Sequence, residues 1–113
     1  ARTHEALAAG IEALGLKFLV DEASRLPQLN AVIVPDGIDE AAVRAYVLDK
    51  WDLELGAGLG PLKGKVWRIG LMGASATPWH VRLCLNALAE ALAAQGWTGD
   101  APAALAAAEA KLA

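Results

Sequence analysis

The run Gly58-Leu59-Gly60-Pro61-Leu62-Lys63-Gly64-Lys65-Val66-Trp67-Arg68-Ile69-Gly70-Leu71-Met72-Gly73 constrains the fold more than any other stretch of this chain. Its glycines and proline make a turn, and Val66 to Leu71 reads as a short apolar strand. One cation, Arg68, interrupts that strand. A buried, unpaired charge is costly, so this arginine needs an anionic partner. Two partners stand open from the pattern alone. One is a structural ion pair at the rim of the domain. The other is a ligand carboxylate gripped by the planar guanidinium fork.

The rest of the chain supplies a frame for that strand. Leu7, Ile11 and Leu14 share one face of a helix over 4–14, which Gly15 stops. Leu16 to Val20 alternates as a strand, and Asp21 to Pro27 reads as a loop. Leu29 to Val34 is a continuous β-branched run, expected to be a strand buried on both faces and ended by Pro35-Asp36-Gly37. Asp39 caps a helix over 40–51, with Val43, Tyr46, Val47 and Trp51 on one stripe. Leu53 to Leu55 reads as another short strand. Thr77-Pro78 starts a helix whose buried stripe is Val81, Leu85, Leu88 and Leu92 and whose stop is Gly96. A last helix runs over 101–112 behind Asp100, with Leu105 and Leu112 seven apart. The order predicts an α+β two-layer sandwich: a small, mostly antiparallel sheet of about four strands, helices packed on one face, and a C-terminal helix.

Several function classes are disfavoured. A net charge of -3 argues against a nucleic-acid binder. No apolar run reaches membrane-spanning length. The glycine turn is not a phosphate loop. A strand follows it where a dinucleotide fingerprint needs a helix, and Val66 follows Gly64-Lys65 where a P-loop needs Ser or Thr. The glycines of the turn then read as a flexible connection, or as a loop lying close to a ligand. His4 and His80 lack ligand spacing and read as surface residues. Cys84 lies inside a helix and reads as packing; a lone cysteine fits a reducing compartment. Trp51, Trp67, Trp79 and Trp97 read as core or interface anchors. No paired carboxylates, metal-spaced cluster or nucleophile motif is present.

Val34-Pro35-Asp36-Gly37, Asp52-Leu53-Glu54-Leu55 and the run from Gly58 to Gly73 resemble the C-terminal small domain of class V aminotransferases. Within that family the similarity is greatest to the alanine–glyoxylate and serine–glyoxylate (serine–pyruvate) enzymes, and it covers nearly all of 2–95. Ala57 stands where relatives often carry a further glycine. The helix beyond Gly96 reads as an added tail.

The resemblance implies residues 1–97 as the small domain and 98–113 as a helical extension. It implies a fold type I transaminase that uses pyridoxal 5'-phosphate and works as a homodimer; a cytoplasmic location is expected separately, from the lone cysteine and the lack of a targeting signal in the sequence. Such an enzyme moves an amino group from alanine or serine to glyoxylate- or pyruvate-type 2-oxo acids. The Schiff-base lysine and most cofactor ligands would lie in a large domain that precedes this segment. The 113-residue piece is therefore expected to be inactive alone and to expose an apolar patch. No lysine here matches the Schiff-base motif, and no catalytic, cofactor or metal residue is assigned in it. Arg68 would bind the substrate carboxylate, and Gly58, Leu59 and Gly60 would border the substrate entrance. The alternative is a stand-alone small-carboxylate-binding or dimerisation module without catalysis.

Overall fold

The computed structural model describes residues 2–70 and 77–113. Among them are α1 (Arg2–Leu14), β1 (Lys17–Val20), β2 (Pro27–Ile33), α2 (Glu40–Trp51), β3 (Gly56–Ala57), β4 (Val66–Arg68), α3 (Pro78–Ala93) and α4 (Ala101–Leu112). The strands form one antiparallel sheet in the order β1-β2-β4-β3. This is the expected α+β architecture. β4 ends at Arg68, short of the expected extent: Ile69 and Gly70 are described and lie outside the strand, and Leu71 lies outside the described residues.

Helix starts follow local chemistry. The side chains of Asp39, Thr77 and Asp100 accept hydrogen bonds from the backbone N–H groups of Ala42, His80 and Ala103. The apolar stripes then bury as their spacing requires. Leu7, Ile11, Leu14, Val43, Val47, Val81, Leu85, Leu88 and Leu92 join one core with Phe18, Val32 and Trp67 of the sheet.

The cross-strand register explains which side of the sheet is inner. Phe18 pairs with Val32, and Val32 with Trp67, so these three share the face turned to the core. Ala31, Arg68 and Gly56 are likewise in register, on the opposite face. There the turn after β3 folds back over Val66. A Cβ on Gly58 would lie 2.2 Å from Leu62 O and 2.9 Å from Val66 Cγ2. Glycine is required at that position by this close approach of chain to chain, whatever else the turn does.

Three expectations need correction. Leu53 to Leu55 is not a strand: pairing begins one residue later, at Gly56. Asp52 caps α2 in the left-handed region, φ 52°. Leu53 and Leu55 then bury with Glu54 exposed, so the period of two is real, but no strand lies beside them. β2 is not enclosed on both sides: Asn30 and Ile33 are exposed, Ile33 by 38%. In α4 the fully buried residues are Ala104 and Ala108, while Leu105 and Leu112 are only partly covered. Small side chains face α1 there because the helices run close. A Cβ on Gly10 of α1 would meet Ala104 O at 3.2 Å and a methyl of Leu85 at 2.4 Å.

Candidate functional site

Arg68 ends β4 on the outer face of the sheet and is exposed. Its Nε donates a hydrogen bond to the carbonyl oxygen of Ala57, at 2.7 Å, across the β3–β4 pair. It takes part in none of the ion pairs found among the described residues, which are Arg44–Glu40, Lys50–Asp49 and Arg82–Glu109. The structural ion-pair reading therefore finds no carboxylate partner for it among those residues. One edge of the guanidinium is fixed by backbone, and no hydrogen bond from its Nη nitrogens to another described residue is found.

The arginine opens onto a groove of about 860 Å³. Asn30 of β2, Arg44 of α2, Gly56 of β3 and His80 of α3 line it with Arg68. Arg44 is neutralised by Glu40, which is 7% exposed and one helical turn earlier. That hydrogen bond, above all, raises the Arg44 pKa from its ordinary value. Two further carboxylates, Asp52 and Glu54, stand on the groove's wall. His80 sits three residues into α3 behind its Thr77 cap. It is half-buried, and burial lowers its pKa from the ordinary 6.5, which favours the neutral imidazole.

Gly58, Leu59 and Gly60 do not line the groove of Arg68. They border an adjoining groove of about 650 Å³, and the two grooves share Ala41 and Arg44. Gly58 is buried, while Leu59 and Gly60 are exposed, Leu59 by 70%.

His80 is thus a residue that the sequence placed at the surface and the fold places beside the candidate site. His4 is also half-buried rather than exposed. Cys84 is fully buried, and burial pushes its thiol up to about 12, in keeping with packing. Trp67 is fully buried, Trp51 and Trp97 are partly buried against the core, and Trp79 stands 68% exposed. Among the described residues no helix is long and apolar enough to cross a membrane, and no cluster of metal-ligating side chains occurs.

No family model matches the chain. Individual proteins do. It is 43% identical over 88 residues to the (S)-ureidoglycine–glyoxylate transaminase of Bacillus subtilis (strain 168), covering 77% of this chain and 21% of that protein. It is 47% identical over 83 residues to the alanine–glyoxylate aminotransferase of Callithrix jacchus, covering 73% of this chain and 20% of that protein. In three dimensions it superposes on the pyridoxamine-pyruvate aminotransferase from Mesorhizobium loti with a TM-score of 0.89 and 33% identity. That match covers 99% of this chain and 29% of the solved one. The chain therefore spans about a fifth of the length of the curated relatives named here. By sequence and by fold, this chain is similar to part of these aminotransferases, and the likeness supports a C-terminal domain of the class V aminotransferases.

Proposed function

We propose that this domain serves a pyridoxal-phosphate-dependent transaminase by binding the carboxylate common to its amino-acid donor and 2-oxo-acid acceptor, and that Arg68 is the binding group. The donors that fit the reading are alanine or serine. The acceptors are small 2-oxo acids of the glyoxylate or pyruvate type. The observation that carries the reading is the state of Arg68: tied at Nε to Ala57 O and otherwise facing a groove. A guanidinium held by one edge is prepared for bidentate hydrogen bonding to a carboxylate by the other. Lysine in its place keeps the charge but not the fork.

Lys17, Lys50, Lys63, Lys65 and Lys111 are all exposed, and none of them lines the Arg68 groove. Pyridoxal phosphate supplies the electron sink for transamination, and we assign its binding to the part of the relatives' length that this chain does not span. Arg68 contributes binding and orientation. Orientation of this kind is worth a great deal, because a misplacement of about 1 Å can cost on the order of a hundredfold in rate. We extend the reading to a homodimer, with the Gly58–Gly60 turn beside the substrate entrance.

The test is Arg68→Ala in the full-length protein. The expected result is a loss of kcat/KM of roughly a hundredfold or more for both substrates, with Arg68→Lys recovering only part of it. Near-normal turnover of Arg68→Ala would overturn the assignment.

A further inference from the structure

We propose that β3 orients the Arg68 guanidinium and that Gly56 is a positioning residue for it, a role Gly56 fills by having no side chain. This inference rests on the reading of Arg68 as the carboxylate-binding group.

Gly56 and Arg68 are direct partners in the β3–β4 ladder, so their side-chain positions fall on the same face of the sheet. A Cβ built on Gly56 would lie 3.2 Å from Arg68 Cβ, 3.3 Å from Nη2 and 3.4 Å from Cζ. The guanidinium therefore lies against the backbone of Gly56, in space that any other residue would fill. The neighbouring carbonyl, Ala57 O, accepts from Nε at 2.7 Å. Two adjacent residues thus act on one side chain. Ala57 fixes which edge of the fork is used internally, and Gly56 lets the fork approach closely enough to use it.

The positive φ that often explains a glycine is not found at Gly56. An alanine there is free of backbone strain, so the space occupied by Arg68 is what excludes a side chain. The Arg68 Cβ cannot swing away, because β4 fixes it. A Cβ at 56 makes the Arg68 side chain or the β3–β4 spacing give by a few tenths of an ångström, and a larger side chain makes it give by more. Both outcomes move the Nη nitrogens away from their present positions. Ala31 of β2 flanks Arg68 on the other side in the register, but the hydrogen bond from Nε goes to β3, so β3 is the strand that holds the guanidinium.

The experiment uses the full-length protein with Gly56→Ala, Gly56→Val and, as a control, Arg68→Ala. Steady-state kinetics with alanine and glyoxylate are measured, together with inhibition by propionate and the melting temperature. The expected result is a rise in both KM values and in the propionate inhibition constant, on the order of tenfold for valine and less for alanine. The change in kcat is smaller than the change in KM. Should Gly56→Val not fold, Gly56→Ala decides. KM values and propionate inhibition unchanged in the Gly56 variants, while Arg68→Ala raises them, would overturn the role of Gly56 and leave Arg68 standing. A lowered melting temperature with unchanged KM overturns it equally. If Arg68→Ala itself changes neither KM nor inhibition, the carboxylate reading falls first, and the Gly56 inference falls with it.

Discussion

Trp67 and Arg68 are neighbours in β4, and they face opposite ways. Trp67 points into the core, fully buried, with its Nε1 donating to the Glu40 carbonyl at 3.3 Å. Arg68 points outward, exposed, with its Nε donating to Ala57 O at 2.7 Å. Each side chain is held to a neighbouring backbone carbonyl, but the hydrogen bond plays a different part in each. For Trp67 it satisfies a donor that burial would otherwise strand, while removal of a large apolar ring from water supplies the stabilisation. For Arg68 little area is buried, so the hydrogen bond sets direction and adds little to stability. Two residues of one strand thus separate what holds the domain together from what it turns toward the groove.

Substitution at each position tests that separation. Trp67→Ala is expected to cost about 3–5 kcal/mol of folding stability, read by denaturant unfolding of this domain. A cost well below that would mean the inner face is less densely packed than the buried set implies. Protonation of His80 has a smaller effect, with a defined sign. Burial lowers its folded pKa below the ordinary 6.5, so the unfolded chain takes up the proton first as pH falls. The contribution of His80 to stability is therefore full above about 6.5, declines as pH falls through the window between the two pKa values, and is constant below it. His80→Gln should remove that part of the pH dependence; an unchanged pH profile would show that His80 is as solvated in the fold as in the unfolded chain. Arg68→Ala should alter stability least, within about 0.5 kcal/mol, even as it removes carboxylate binding. A large loss of stability there would erase the distinction between the two faces.

The features legible in the sequence were those whose causes are local. Thr77-Pro78, Asp39 and Asp100 announced helix starts because a cap needs only the next turn of its own helix. The stripes through Ile11, Val47 and Leu88 were legible for the same reason. Leu53 to Leu55 misled because alternation reports burial, whereas a strand needs a neighbour that only the tertiary fold supplies. The buried face of α4 was hidden by its own composition: where most residues are alanine, the two leucines draw the eye, and the close contact with α1 uses Ala104 and Ala108 instead.

The candidate site divides along the same line. Arg68 stood out as a lone cation in an apolar strand. Gly56 and His80 did not, because each is far from Arg68 along the chain and reaches it only through the sheet or through the placement of α3. Their signal would have been the pairing of β3 with β4, which a single sequence does not reveal. The glycines of the turn were noticed for the space they leave outside, yet Gly58 is spent on the inside, against Leu62 and Val66.

The packing of α1 against α4 bears on how this domain is made. The first and last helices of the described chain lean on each other more extensively than on any other helix. A growing polypeptide emerging from the ribosome would expose the apolar stripe of α1 throughout synthesis of everything between them. Until residues 101–112 leave the exit tunnel, Gly10 and its neighbours can close on Leu85 of α3 but not on Ala104. Completion of the α1–α4 contact is therefore timed by residues 101–112, and a nascent chain stalled before them leaves part of α1 open to a chaperone.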